Sequence, residues 1–202
     1  MSYLTLSRET ASSLFLFDVV LRESAWGGAV FSRDERHRFA LWRLSGFGDW
    51  AAAGRKPYAF IGLNPSTADE AFDDPTVRRC IAFAKRERAG GMYMLNLFSL
   101  RSTNPKNLLR PGIEPTLPEN LVAVSYVAGI SHSVVLCWGS NRVVHLRSDV
   151  VGKCLATVTP KGVLADIALH FGRNKDGCPQ HPLYLPKERS LIPFSPRKPG
   201  KS

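Results

Sequence analysis

Two asparagine side chains accompany apolar runs of the sequence and could bind a ligand: Asn64 stands in the turn after one run, and Asn96 lies within another. The run Tyr58–Ile61 leads into Gly62-Leu63-Asn64-Pro65-Ser66, and Asn96 interrupts the apolar run 92–98. Apolar runs broken by Gly and Pro are typical of buried strands and the turns that follow them. Ligands of open α/β sheets bind just outside the carboxyl ends of strands, so Asn64 is expected at a site. Its amide offers a ligand both a hydrogen-bond donor and an acceptor.

The elements that would position these amides alternate between strands and helices. A third apolar run, Val134–Trp138, ends in Gly139 and Ser140, so three strands are expected to deliver polar groups to one edge. The patterns predict strands at 57–63, 92–98, 133–138 and 154–158, and helices from 73 to 90, at 119–130, from 141 to about 151, and at 163–171. This alternation predicts a three-layer α/β/α fold around a central, mostly parallel sheet.

The rest of the chain is organised around one domain. Residues 1–28 are interpreted as a peripheral N-terminal segment with a short helix, and 29–186 as a single α/β domain that opens with an edge strand pair at 29–45. Residues 173–185 are expected to form a polar loop. The basic segment 187–202 is expected to be a flexible tail.

Composition limits the functional classes. The 202 residues, 44% of them hydrophobic, suit one domain with a sizeable core, and no apolar run is long enough to span a membrane. No secretion signal is recognised, and the four scattered cysteines indicate reduced thiols in a cytoplasmic protein. The net charge of +10 favours DNA, another nucleic acid or a nucleotide as partner and not a membrane, although a solubility role is the alternative. The sequence does not predict an oligomeric state.

Several short motifs together carry a family resemblance. They are Gly62-Leu63-Asn64-Pro65-Ser66, Asp73-Asp74-Pro75-Thr76, Arg78-Arg79-Cys80 and His181-Pro182-Leu183-Tyr184. With these motifs, the chain from Ala29 to Leu185 resembles a family of bacterial and phage proteins, domain of unknown function 1643.

A second resemblance concerns the chemistry. Gly62-Leu63-Asn64-Pro65, Leu95-Asn96-Leu97, Leu136–Ser140 and His181–Leu185 occur in the order used by the uracil-DNA glycosylase superfamily. The first is similar to the water-activating motif of some branches, and the last to the loop that holds a catalytic histidine and a wedge leucine. This resemblance implies a uracil-DNA-glycosylase-like fold, base flipping, and hydrolysis of the N-glycosidic bond of a nucleobase in DNA or a nucleotide.

The resemblance also implies roles for individual residues. Asn64 would orient the attacking water and His181 would stabilise the departing base; these are the candidate catalytic residues. Asn96 would read the pyrimidine edge, and the remaining base-binding candidates are Gly62, Leu63, Pro65, Ser66, Phe72 and Phe98, the two phenylalanines as stacking faces. Leu185 would wedge into the base stack, and the other DNA-binding candidates are Tyr184, Ser140, Arg78 and Arg79. No cofactor and no metal is implied.

Departures from the glycosylase pattern modify this hypothesis. Asn64 replaces the aspartate of the main branch, so strong water activation is not expected, and Ser66 replaces a bulky tyrosine, which would admit a 5-modified pyrimidine. Leu183 replaces a phosphate-binding serine. The acidic residues Asp69, Glu70, Asp73 and Asp74 would repel phosphate, and they would alternatively bind a divalent ion or supply a base.

Simpler interpretations remain open for each residue. Asn64 would cap a turn, Asn96 would make a structural hydrogen bond, and His181 would be an exposed loop residue. Arg78 and Arg79 would pair with the neighbouring aspartates. Two functions of other classes follow: a non-catalytic nucleic-acid or nucleotide-binding module, and an interaction protein in phage–host conflict.

Overall fold

The computed structural model describes residues 19–159 and 168–195, and within these ranges it is an α/β fold built on one mixed sheet. The eight strands are β1 Val19–Glu23, β2 Gly27–Ser32, β3 Arg38–Arg43, β4 Tyr58–Gly62, β5 Met92–Asn96, β6 Ser133–Leu136, β7 Ala168–His170 and β8 Ile192–Pro193. The helices are α1 Asp49–Ala52, α2 Pro75–Arg86, α3 Pro118–Ile130, α4 Arg142–Leu146 and α5 Ser148–Val158, with 3₁₀ turns at Pro105–Leu109 and Pro182–Tyr184.

The prediction of a mostly parallel sheet is wrong. The strand order is β1-β2-β3-β5-β4-β6-β7-β8, and only β5, β4, β6 and β7 run parallel to one another. The four other pairings are antiparallel, because β1, β2 and β3 form a meander on one side and β8 folds back on the other. The strand pair expected at 29–45 is present as β2 and β3, but β3 is interior because it also pairs with β5.

Alternate residues of the central strands pack against helices on opposite faces of the sheet. In β4, Ala59 and Ile61 belong to the core on the side of α3 and α5, whereas Tyr58 and Phe60 belong to the core on the side of α2. All four residues are buried, so both faces of β4 are covered, as expected for a central parallel strand. The sheet is therefore rigidly supported where its carboxyl edge presents the candidate site.

Helix α2 begins as its sequence predicts. Asp74 is the N-cap and its carboxylate accepts a hydrogen bond of 2.8 Å from the backbone nitrogen of Val77, while Pro75 occupies the first turn. The buried face consists of Val77, Cys80, Phe83 and Ala84, whose spacing matches a helix that packs on one side. The cap fixes the start of the helix beside the turn that carries Asn64.

The sequence predicts the C-terminal third less well. The strand expected at 154–158 is wrong, since these residues are the last turns of α5, where Cys154 and Val158 are buried at helical spacing. The helix predicted from residue 141 is two helices, α4 and α5. The helix predicted at 163–171 is wrong over 168–170, which form β7; its residues 163–167 lie outside the described residues. Of the segments predicted to be a peripheral N-terminus and a flexible tail, residues 1–18 and 196–202 lie outside the described residues as well. The described parts of these segments contain β1 and β8, which pair with β2 and β7 of the sheet.

The four cysteines are free, as the sequence predicts, and all four are buried. Among the described residues, no helix has the length and apolar character that a bilayer crossing requires.

Candidate functional site

A pocket of about 500 Å³ opens at the carboxyl ends of β4, β5 and β6. We call it the site pocket. Its lining residues are Arg38, Gly62, Leu63, Asn64, Ser66, Asp74, Thr76, Val77, Met94, Asn96, Ser102, Thr103, Pro105, Trp138, Gly139, Ser140, Asn141, His181, Leu183 and Tyr184. The structure thus brings Asn64, Asn96 and His181, separated widely in sequence, to one cavity.

The Asn64 side chain is clamped by its amide nitrogen. Nδ2 donates to the backbone oxygens of Ser102 at 2.8 Å, Pro65 at 3.0 Å and, more weakly, Leu100 at 3.4 Å. Because Nδ2 already donates to three backbone carbonyls, the side-chain atom left for a ligand or a water is the oxygen Oδ1. The turn-forming and water-orienting interpretations of Asn64 are therefore compatible.

Asn96 ends β5 and is buried at the floor of the site pocket. Its Oδ1 accepts a hydrogen bond of 3.2 Å from Nη2 of Arg38, and its Nδ2 is buried without a partner. The Asn96 amide can lie this close to β4 because residue 62 is glycine: a Cβ there would lie 3.0 Å from Nδ2 of Asn96 and 2.6 Å from Cε of Met94. A buried amide donor without a partner is costly, so the floor is prepared for an acceptor.

His181 sits on the opposite wall, where Gly139 lets it approach closely. Gly139 has φ +73° and a Cβ there would lie 3.1 Å from Cβ of His181, so glycine is needed for both backbone and space. Nδ1 of His181 accepts from the backbone nitrogen of Leu183 at 3.3 Å. Burial lowers the pKa of His181, opposed by the charge of Asp74, and the neutral ring then carries its proton on Nε2. The ring is thus a neutral donor.

The segment around His181 is held by helix α2. Arg79 donates to the backbone oxygen of Leu185, and Nη1 of Arg86 donates to the backbone oxygens of Lys187 at 2.7 Å and Arg189 at 2.8 Å. Since the N-terminus of α2 also lines the site pocket through Asp74 and Thr76, one helix supports two of its walls.

Residues 38–183, most of the chain, match the family described as "Protein of unknown function (DUF1643)". The chain belongs to this family. No curated protein and no solved structure matches the DUF1643 chain, and the comparisons give no support to the uracil-DNA glycosylase resemblance. The matched span begins at Arg38 and ends at Leu183, so of the residues that line the site pocket only Tyr184 lies beyond it.

Several predicted site residues of the DUF1643 protein lie elsewhere. Phe98 is fully buried in the core on the α3 side, and Phe72 is 72% exposed and outside the pocket lining, so neither stands in the pocket as a stacking face. Leu185 is half-buried against the core on the α2 side, whereas its neighbour Tyr184 is 86% exposed on the pocket lining. Pro65 is buried beneath the turn.

The two arginines of the Arg78-Arg79 pair are engaged with the protein. Arg78 is exposed and donates to the backbone oxygen of Asp73, while the guanidinium of Arg79 lies 4.7 Å from the ring centre of Phe83 as well as contacting the His181 segment. Their predicted pairing with aspartate carboxylates is not what the structure shows, because the side chain of Asp73 pairs with Arg43 at 2.7 Å. Arg78 is the more exposed of the two, and neither arginine lines the site pocket.

Two of the acidic residues after the Asn64 turn accept hydrogen bonds from nearby backbone nitrogens. Oδ1 of Asp69 accepts from the backbone nitrogens of Ala71 and Phe72, and Asp74 caps α2. A possible metal-ligand group among the described residues lies outside the pocket lining: His145, Asp176 and Cys178, with ligand atoms within 4.8 Å of one another. Asp176 already bonds His145 at 3.2 Å, and burial raises the pKa of the Cys178 thiol to about 11, which favours the protonated form.

The residue that sequence reasoning missed is Arg38. The segment Arg38–Arg43 has an arginine at each end and lies in the edge strand pair that the sequence predicts at 29–45. Because β3 runs antiparallel to β5, its first residue lies at the same edge as Asn96, and Arg38 is 2% exposed. The signal available in the sequence was an arginine bordering a wholly apolar strand core.

Proposed function

We propose that this DUF1643 protein binds a pyrimidine nucleobase in the site pocket and hydrolyses its N-glycosidic bond, in DNA or in a nucleotide. The observation that carries the proposal is that Asn64, Asn96 and His181 line one cavity. At about 500 Å³ the cavity lies within the usual size range of small-ligand sites. The positively charged chain would attract either form of the substrate.

The three side chains suit the charge changes of the reaction. Cleavage passes through an oxocarbenium-like sugar while the electrons of the glycosidic bond leave with the base. Oδ1 of Asn64 would orient a water towards the sugar carbon, and the proton of that water would pass to solvent because a neutral amide takes none. The Nε2–H of His181 and the Nδ2–H₂ of Asn96 would stabilise the departing base anion.

The aromatic contacts of the base would come from residues other than Phe72 and Phe98. Tyr184 and Trp138 line the pocket, and Tyr184 is exposed at its rim. Tyr184 would therefore stack on the base or enter the space it leaves in DNA, in the place first given to Leu185. Ser66 also lines the pocket, and its small side chain leaves room for a 5-substituent.

A second candidate is a binding module without catalysis. The observation that favours it is the clamp on Asn64, which makes this amide a structural part of the turn, and an amide is a much weaker base than a carboxylate. Such a module would use the same pocket and the same contacts to a base.

Release of free base distinguishes the two candidates. Oligonucleotides and mononucleotides containing uracil or a 5-modified pyrimidine would be incubated with the protein, and free base measured by chromatography. We expect release that falls at least about 100-fold in His181→Ala and in Asn64→Ala, as for loss of a charge-stabilising donor. His132→Ala, which changes an exposed histidine outside the pocket lining, is the matched control.

Absence of release with every substrate, together with undiminished binding, would favour the module. Binding to DNA would be followed over a range of salt concentrations, because phosphate contacts give a steep decrease of affinity with salt. An affinity independent of salt would instead indicate that DNA is not the ligand.

A further inference from the structure

Strand β3 carries two buried arginines in contrasting surroundings. Arg43 is paired with the carboxylate of Asp73 at 2.7 Å. Arg38 has no carboxylate within 4.0 Å among residues 19–159 and 168–195; its contacts are the backbone oxygen of Ala68 at 2.8 Å and Oδ1 of Asn96 at 3.2 Å. The same strand thus shows what a structurally paired arginine looks like, and Arg38 differs from it.

An isolated charge at such a position needs an explanation. Buried charges are normally paired, since removing a charge from water is costly. Burial lowers the pKa of Arg38 to about 10, so it stays charged at neutral pH. The carboxylate of Asp74 acts on it at longer range and is already the cap of α2. Nε of Arg38 is also buried without a partner, which leaves the pocket floor short of acceptors and of negative charge.

Arg38 also determines which way the Asn96 amide faces. A guanidinium can only donate, so the amide turns its oxygen to Arg38 and its nitrogen away. Nδ2 is then the atom without a partner, next to the space that Gly62 leaves open. The floor therefore offers a donor and a positive charge.

We infer that Arg38 and Asn96 form an oxyanion subsite at the floor of the site pocket. Its ligand is an oxygen that bears negative charge or strong negative polarisation, held by Nδ2 of Asn96 and neutralised by Arg38. Two groups of a nucleotide supply such an oxygen, a phosphate and the 4-oxo group of uracil or thymine; the exocyclic amino group that cytosine carries at the 4-position does not. The inference rests on the proposed function only in taking the ligand to be a nucleotide or its base.

Binding of three small probes identifies the oxygen. Inorganic phosphate, deoxyuridine and deoxycytidine would each be titrated into the full-length protein at millimolar concentration by calorimetry. Binding of phosphate assigns the oxygen to a phosphate group, and at least tenfold tighter binding of deoxyuridine than of deoxycytidine assigns it to the base. Binding of none of the three, or equal binding of both nucleosides without any binding of phosphate, overturns the inference.

Asn96→Asp provides the variant test, because it is isosteric and supplies the missing counter-charge from within the protein. We expect the melting temperature at neutral pH to rise by about 2–4 °C, and the affinity for the bound probe to fall at least tenfold. Asn120→Asp is the matched control: Asn120 is also a buried amide, but its Nδ2 donates to the backbone oxygens of Asn96 and Leu97, so that variant is expected to melt at a lower temperature.

The two measurements separate this inference from the proposed function. If probe affinity stays within twofold of the parent in Asn96→Asp, the subsite is wrong even when base release is observed. If no base is ever released but the probe binds and is lost in Asn96→Asp, the hydrolysis is wrong and the subsite stands.

Discussion

The clamp on Asn64 makes a quantitative prediction about stability. In Asn64→Ala, hydrogen bonds of 2.8 and 3.0 Å and a longer one of 3.4 Å are lost. At about 1 kcal/mol for each of the two shorter bonds, the free energy of unfolding should fall by about 2 kcal/mol. In Asn64→Asp the same bonds are lost and a carboxylate faces three carbonyl oxygens, so we expect a fall of about 3–5 kcal/mol at pH 7.

The difference in free energy of unfolding between these two variants should change with pH in a definite direction. Repulsion by the carbonyls raises the pKa of the new carboxyl in the folded state above its unfolded value of about 3.9. A raised pKa gives stability that is present below the unfolded value and is lost as the pH rises through the folded value. Asn64→Asp should therefore be less stable than Asn64→Ala at pH 7 and at least as stable near pH 3.5, where the protonated carboxyl donates to a carbonyl.

Urea denaturation followed by tryptophan fluorescence measures both variants at each pH. The difference between variants cancels the titration of all other groups, provided that both unfold in one transition. If Asn64→Asp is as stable as the parent protein at pH 7, the amide nitrogen does not hold the turn, and the argument that Oδ1 is left for a water or ligand is refuted.

Three other outcomes are expected. Gly139→Ala should destabilise by about 1–3 kcal/mol and weaken ligand binding, measured by denaturation and calorimetry, because of the positive φ and the 3.1 Å approach to His181. The lowered pKa of His181 means that stability is lost as the pH falls below about 6.5, and His181→Gln should reduce that loss in thermal melts between pH 7 and 5. Asp73→Ala leaves the 5% exposed Arg43 without its carboxylate and should cost about 1–3 kcal/mol in urea denaturation.

The sequence predicts the central strands well because their information is local. Apolar runs bordered by glycine define β4, which ends at Gly62, and β5, which follows Gly90 and Gly91, and the Asp-Pro start defines α2. The direction of β3 and the helical state of 154–158 depend on partners distant in sequence, so a short apolar run there fits either element. The same limit explains the error about the proportion of parallel pairing.

The candidate site was predictable in part for the same reason. Asn64 and Asn96 follow strands that end at one edge, and topology then places them together. Arg38 reaches that edge only because β3 is antiparallel and interior, which the residue pattern of β3 does not indicate. The exposure of Tyr184 and the burial of its neighbour depend on how the segment packs on α2, which sequence spacing alone does not determine.

The hydrogen bonds from Arg79 and Arg86 to backbone oxygens should make the pocket wall around His181 insensitive to pH and salt. The acceptor in each of these bonds is a neutral peptide carbonyl, and a hydrogen bond to a neutral acceptor is screened by salt less than an ion pair. Low pH or high salt, which would weaken an ion pair to a carboxylate, should leave these hydrogen bonds in place. Changes of activity with pH or ionic strength should therefore report the ligand and its contacts, and not the opening of this wall.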